Sequence, residues 1–556
     1  MIPRKSVAWT VALTWLVLAA ASAQSPILLR DVTSRSGVTF QHTDGGSGRR
    51  YIIETVSAGL ALFDYDQDGD VDIYFLNGAP LQGAAFDVQP TNALYRNDGG
   101  CRFTDVTAEA GVGDRGYGLG VAVADYDNDG APDLYLNNYG PNVLYHSNGD
   151  GTFSDVTLDA GTARSREETG AGACFLDADK DGDLDLYVAS YLHFSYDTHL
   201  HNEWLGFHVY PGPDHYLPTP DAFYVNNGDG TFTDASVASG IAACKGHGMG
   251  TVCADYDRDG DTDIFVANDS TPNFLFENDG TGKFRERGLL AGTAYDLNGS
   301  LHGSMGVDCA DYDNDGRLDF YETSYQGQLA ALYRNLGGGR FDDVTLRAQA
   351  GQGTLQHVTW GNGFVDFDND GNRDLFVACG HLYDNVDRFS DNTSYRVRNI
   401  LLRNTGDGRF VDVSSKAGDG MLPILSSRGA AFDDLDNDGD VDAVILNARS
   451  APTILRNDSA GDHHWIQIRL VGIVANRHGA GAQVKVVAGD LTQVAEVHCG
   501  RSYQSHYGTR LHFGLASRDQ IDQIEVRWIG GGVELFTNVE VDRIVTLKEA
   551  GGAARE

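Results

Sequence analysis

Seven times this chain writes the phrase D-x-D-x-D-G-x-x-D, in loops beginning at Asp64, Asp125, Asp177, Asp255, Asp311, Asp366 and Asp434. Every copy keeps Asp at positions 1, 3, 5 and 9 and Gly at position 6. Ca2+ is a hard cation that takes about six to eight oxygens, and alternate residues of a tight loop can turn carboxylates toward one point. The predicted ligands are Asp64, Asp66, Asp68 and Asp72; Asp125, Asp127, Asp129 and Asp133; Asp177, Asp179, Asp181 and Asp185; Asp255, Asp257, Asp259 and Asp263; Asp311, Asp313, Asp315 and Asp319; Asp366, Asp368, Asp370 and Asp374; and Asp434, Asp436, Asp438 and Asp442. Gly at position 6 allows the sharp turn, and position 7 can offer its carbonyl. An EF-hand would close with Glu at position 12. Here that position holds Phe75, Leu136 or Val188, on a strand. Up to seven structural Ca2+ ions are expected, bound weakly, at about 10⁻⁴–10⁻³ M, as extracellular modules bind them.

Apolar runs flank each loop, such as Val121-Ala-Val-Ala before the second and Leu134-Tyr-Leu after it, so each loop joins the two strands of a β-hairpin. A second hairpin follows, as in LYRNDGGCRFTDVT from Leu94 and LYRNLGGGRFDDVT from Leu332, with Asn, Asp or Gly at its turn. Four antiparallel strands, seven times, at a mean spacing of about 62 residues, predict an all-β chain with a seven-bladed β-propeller over residues 27–460. The last third-strand phrase, Ile454 to Asn457, has no fourth strand after it, whereas Arg30-Asp-Val-Thr33 stands ahead of the first repeat. The N-terminal strand is therefore expected to complete the last blade and close the ring.

Export is expected as well. Arg4 and Lys5, the apolar run Val7 to Ala20 and Ala21-Ser22-Ala23 read as a signal peptide over residues 1–23. No Cys follows the cleavage site and nothing downstream approaches a membrane span, so neither a lipid anchor nor a transmembrane segment is expected. The protein would reach the periplasm, the cell surface or the medium. Net charge is −38, and the seven loops alone hold 32 Asp. Seven divalent ions would offset 14 of those charges. Nucleic acid, which needs a basic face, is not an expected partner. The seven Cys form no CxxC pair; Cys174, Cys253 and Cys309 precede loops on apolar strands and read as core thiols, although an exported chain can oxidise a pair.

Strand order puts the acidic loops on one face and the connections between second and third strands on the other. From the last loop Asp to the Asn of the next hairpin, four repeats take 15 or 16 residues, the first 25, the sixth 30 and the third 41. Long loops gathered on one face of a rigid scaffold are where binding usually sits. The third insertion carries Trp204, Tyr210, five other aromatics and His193, His199, His201, His208 and His215. It reads either as a self-packed loop or as a recognition surface for a glycan or a protein. His247, His302 and His357 each precede an acidic loop by eight or nine residues, with Glu168 and Tyr117 at comparable places. They either cap their own strands or line a central metal or anion site.

Beyond residue 460 the repeat stops, and the runs Trp465-Ile-Gln-Ile-Arg-Leu, Ala482-Gln-Val-Lys-Val-Val and Ile524-Glu-Val-Arg-Trp predict a small all-β domain over 461–550. The loops and paired hairpins resemble the FG-GAP/VCBS repeats of integrin-α-type propellers. Asn476-Arg-His-Gly-Ala-Gly, Gly500-Arg-Ser-Tyr-Gln-Ser505 and Leu511-His-Phe-Gly-Leu515 look like an ASPIC/UnbV domain. The pairing is similar to the family of cartilage acidic protein 1, which has many bacterial members. Trp528-Ile-Gly-Gly stands where that family often has Trp-Pro-x-Gly. The third insertion keeps Tyr210-Pro-Gly-Pro213 without the Cys often found there. The resemblance implies calcium-dependent extracellular binding or adhesion and no established catalytic role. An enzyme, such as a polysaccharide lyase or a metal-dependent oxidase using the His-rich face, is the alternative, and a structural envelope component a third. No serine elbow, Walker loop, HExxH or RGD is present. The oligomeric state is left open.

Overall fold

The computed structural model describes residues 27–164 and 168–550, so the expected signal peptide lies outside the described residues. Residues 27–460 form seven four-stranded antiparallel units in chain order, the second and third joined into one sheet where Thr169 pairs with Tyr139. The first runs Leu60–Phe63, Asp72–Phe75, Ala93–Asn97 and Phe103–Asp105. The innermost strands of successive sheets touch in order, and the seventh touches the first, which makes the ring a closed propeller. Closure uses the N-terminal strand as expected: Leu29–Asp31 pairs with Thr453–Asn457 as the outer strand of the last blade.

Burial falls from the axis outward. Asp72–Phe75 is wholly buried, Ala93–Asn97 exposes one residue and Phe103–Asp105 two. This is why the two inner strands read as continuous apolar runs and the outer one as polar.

Two devices lock each blade to its neighbours. The Asn that ends the third strand is a staple rather than a turn residue. In six blades (Asn97, Asn226, Asn278, Asn335, Asn404 and Asn457) its amide donates to the carbonyl of the second loop residue of the blade before it, at 2.8–2.9 Å. The second blade has Ser147 there. The other device is a Gly five residues before each loop, at 59, 120, 172, 250, 306, 361 and 429. At these points backbones of adjacent inner strands meet: Gly59 N–H donates to Leu119 O at 2.8 Å and Gly250 N–H to Met305 O at 2.6 Å. A Cβ on Gly120 would overlap the Ala171 carbonyl, and one on Gly59 the Gln504 carbonyl.

Gln504 belongs to the C-terminal region, whose two sheets pack around Ile466, Val484, Phe513, Ile524 and Trp528. This region sits on the acidic-loop face. Gln467 donates to Asp434 at 2.7 Å, Arg510 pairs with Asp433 at 3.0 Å, Arg373 donates to His512 O at 2.8 Å and Arg477 N–H to Asn128 at 2.9 Å. Residues 498–507 leave it and fill the central channel. Cys499 O accepts from Phe175, Gln504 O from Val121 and His506 O from Leu62, while Ser502 and Val307 exchange backbone bonds at 2.7 and 3.2 Å. Tyr503 is fully buried, donates to Val56 O at 2.6 Å and meets Trp360 edge-on. Arg501 is held by Asp308 and lies against the Tyr507 ring. The sequence signal for this plug is Asp308 itself, a lone acid on an otherwise apolar inner strand.

Arg501→Ala leaves Asp308 buried without its cation. The expected cost is about 3–5 kcal/mol, read by chemical denaturation, with Asp308→Ala/Arg501→Ala recovering part of it.

Candidate functional site

Each acidic loop folds by the same bonds. The first Asp accepts the N–H of the sixth-position Gly at 2.8–3.1 Å in all seven. The fifth accepts that of position 7 at 2.8–3.1 Å. The ninth accepts the N–H of the staple residue, Asn or Ser147, at 2.7–2.9 Å. Position 4 takes the left-handed conformation in every copy, which favours the Asn found at 128, 314, 369 and 437. Side chains at position 4 also reach the next loop: Gln67 donates to Gly130 O, Asn128 to Asp183, Asn314 to Gly371 O, Asn369 to Asp440 and Asn437 to Asp70, and Lys180 pairs with Asp261. The acids at position 7 therefore serve the belt between loops.

What remains inside each loop fits a hard cation. One oxygen each of Asp64, Asp66, Asp125, Asp177, Asp255, Asp313, Asp368 and Asp436 is buried without a partner. Carboxylates of Asp64, Asp66 and Asp72, of Asp125, Asp127 and Asp133, of Asp177, Asp179 and Asp181, and of Asp255, Asp257 and Asp259 converge closely enough to share one ion. Burial, and then the neighbouring carboxylates, push Asp125 up to about 7; Asp177 rises to about 7, and Asp72 and Asp185 to about 8, also chiefly through burial.

The loops are unequal. A basic side chain from the third strand lies over several of them. Arg334 pairs with Asp313 at 2.6 Å and Asp315 at 2.9 Å, and Arg317 also pairs with Asp315. His146 lies 3.2 Å from Asp127 and 3.4 Å from Asp133, whose hydrogen bond raises the imidazole to about 9. In the third and fourth blades the same position holds Val225 and Glu277.

On the opposite face the segment between residues 33 and 59 packs with the insertions of the first, third and sixth blades, the Tyr51 hydroxyl donating to Gln82 O of the first at 3.2 Å. Tyr51 packs edge-on against Phe194, Tyr196 and His199, and Tyr383 stacks on Tyr210 at 6.2 Å. Two cavities open there. One, of about 420 Å³, is lined by Asp44, Arg50, Glu54, Tyr210, Asp384 and Arg449. The Tyr210 hydroxyl donates to Glu54 at 3.0 Å and accepts from Arg449 at 2.9 Å; Arg449 also holds Asp44 and Asp384, and Arg50 pairs with Asp384 at 2.6 Å. Burial raises the Glu54 carboxyl. The other, of about 320 Å³, is lined by Trp204, Tyr325, His381, Tyr383 and Phe389.

Of the residues predicted for this face, Trp204 is 61% exposed, while Tyr210 is only 2% exposed and serves as a strut. Glu168 pairs with Arg164 at 3.0 Å, and the Tyr117 hydroxyl donates to Asp44 O at 2.8 Å. His247 bonds Asp269 O at 3.2 Å and rests edge-on against Tyr191. His302 bonds Glu322 at 2.9 Å; burial opposes its protonation, but this bond and nearby acids raise it. His357 is lowered by burial. The three share no partner and line neither cavity. Asp44, Glu54 and Arg449 escaped the sequence reading; the first two lie in the long segment between residues 33 and 59, which is not a second-to-third-strand connection, and Arg449 lies in the short connection between Asp442–Asn447 and Thr453–Asn457, which carries no signal of its own. All seven Cys are free thiols, six of them buried.

A family model described as FG-GAP-like repeat matches residues 64–136, 125–188, 214–266, 255–322 and 366–445, together more than half of the chain, and one described as ASPIC and UnbV matches 472–554. Cartilage acidic protein 1 of Mus musculus is 24% identical over 508 residues, covering 85% of this chain and 70% of that protein. The Homo sapiens protein is 24% identical over 504 residues, covering 85% and 69%. Among solved structures, the BP39L lectin from Burkholderia pseudomallei matches with a TM-score of 0.44 at 11% identity, covering 73% of this chain and 97% of that one.

Carboxyls raised in the fold above their unfolded value near 4 bind protons more tightly when native. Without a cation, that stability is fully present below about pH 4 and is lost as pH rises through about 7–8. In chelator the unfolding temperature is therefore expected to fall from pH 5 to pH 8. A saturating divalent cation, which binds the deprotonated form, is expected to remove that decline.

Proposed function

The chain belongs to the FG-GAP-like repeat family and carries a C-terminal ASPIC and UnbV domain, and from that premise we propose an exported Ca2+-binding protein that binds an extracellular glycan through the face opposite its acidic loops. The observation that carries this reading is the covering of the loop face. With the C-terminal domain seated there and residues 498–507 in the channel, a loop-face cavity of about 460 Å³ is lined by Asp368, Asp438, Asp440 and Asp542, whereas the other face offers two cavities of mixed charge and aromatic lining. Balanced charges and hydroxyl groups in one, and aromatic faces in the other, suit a neutral polyhydroxylated ligand. A protein ligand would meet the same surface. No helix among the described residues is long and apolar enough to cross a membrane.

Ca2+ would be held by the Asp residues at positions 1, 3, 5 and 9, supplying charge neutralisation and rigidity to the loops. The third and fourth loops, which lack a basic side chain at the third-strand position, should bind most tightly, and the fifth, already paired with Arg317 and Arg334, least. Calorimetric titration of the metal-free protein is expected to resolve these classes, with Asp177→Asn removing a tight one and Asp313→Asn leaving the tight ones intact.

A second reading, turnover of a bound polysaccharide, rests on Glu54, a carboxyl raised by burial beside Tyr210 and Arg449. One experiment separates them. On a glycan and protein array in Ca2+, specific retention without product supports binding, and product formation supports turnover. Trp204→Ala or Arg449→Ala is expected to weaken retention by about 10-fold or more, the scale of a truncated anchor. Retention unchanged in both variants would remove this face from the account.

A further inference from the structure

The insertion of the third blade folds into a small exposed hairpin, Asn202–Trp204 against Phe207–Val209. His201 leads into its first strand and His208 stands on its second. Nδ1 of His201 and Nε2 of His208 share a hydrogen bond at 3.3 Å, a proton standing where a cation could bridge the same two nitrogens. Two imidazole nitrogens bound about 2.0–2.1 Å from a tetrahedral ion stand about 3.3–3.4 Å apart. The rings of His199 and His201 lie 5.2 Å apart between centroids, as do those of His201 and His208. Both ring nitrogens of His199 are shielded from solvent, the Arg49 backbone is the polar group nearest to bonding them, and the ring is set edge-on against Tyr51. Nothing in the propeller's loops or in the lid cavities uses these three rings.

We propose that His201 and His208, with His199 as a third ligand, form a site for a d-block divalent cation, Zn2+ or Cu2+, on the hairpin of the third blade. Imidazole donors select such ions, whereas the all-oxygen loops select Ca2+, so the two kinds of site fill independently. Burial, and then the neighbouring cationic or imidazole groups, lower His199 and His208, which keeps them in the neutral form that ligates. Rotation of the His199 ring about its side-chain bonds completes a three-nitrogen set and leaves a fourth position for water or an exogenous ligand. This site stands apart from the glycan reading and does not need it.

The test uses untagged full-length protein, stripped of metal and resaturated with excess Ca2+, titrated with Zn2+ against a chromophoric chelator. One equivalent is expected. His201→Ala and His208→Ala should each weaken it by at least about 100-fold, beyond the loss that removal of an outer-shell partner brings, while His215→Ala in the same insertion leaves it unchanged. X-ray absorption of the Zn2+-loaded wild type, which needs no variant, should show imidazole scattering. No Zn2+ uptake above the Ca2+-saturated background, equal uptake by the His201→Ala/His208→Ala protein, or an all-oxygen shell would overturn the proposal.

Discussion

The ninth carboxylate of each acidic loop holds several segments at once. In the first blade, Asp72 accepts the backbone N–H of Tyr65 within the loop and that of Asn97 at the end of the third strand. Asn97 in turn donates to Leu435 O of the preceding blade. Loop, hairpin and neighbouring blade are thus fixed through one buried acid, and the pattern recurs around the ring with local variation. The fourth blade omits the bond within the loop, where Tyr256 N–H turns to Ala254 O and one oxygen of Asp263 is left over. The second replaces Asn by Ser147 and brings His146 over the carboxylates. A buried carboxylate that accepts backbone N–H groups is stable only if its charge is answered, by protons or by a cation, and this makes the ring's rigidity depend on what the loops hold.

The loops also serve as a docking surface. The C-terminal domain reaches the seventh through Gln467 and Arg510 and the second through Arg477, and its 498–507 segment threads the channel past the glycines that precede the loops. Channel and loop face are both occupied by the same domain, and Tyr503 meets the aromatic packing under the lid at Trp360. The geometry gives the two faces different work: one assembles the molecule, and the other carries the lid.

Much of this was legible in the sequence. Period, strand order and the strand swap that closes the ring follow from local patterns, namely the Asp spacing, the apolar runs and the orphan phrase at Arg30 to Thr33. What escaped depends on contacts between distant segments. The staple role of Asn97 is invisible until Leu435, far along the chain, is placed beside it. The seven glycines were present at a constant offset from each loop, but their meaning needs the neighbouring backbone. Asp308 could have been flagged as an acid on an apolar strand, yet its partner Arg501 lies in another domain. Similarly, the sequence leaves Tyr210 open between a self-packed loop and a recognition surface, because sequence records residue type and not the Glu54 and Arg449 that tether it.

The central claim is that cation-loaded loops hold the C-terminal domain and its plug on one face while the lid on the other stands by itself. Amide hydrogen exchange of the intact protein, followed peptide by peptide in Ca2+ and after chelation, tests it most directly. Residues 498–507, whose Ser502 and His506 N–H groups are bonded to Val307 and Leu60, are expected to lose protection on chelation, while the lid residues around Tyr210 and Tyr383 keep theirs. Unchanged protection of the plug, or loss of protection in the lid first, would contradict it.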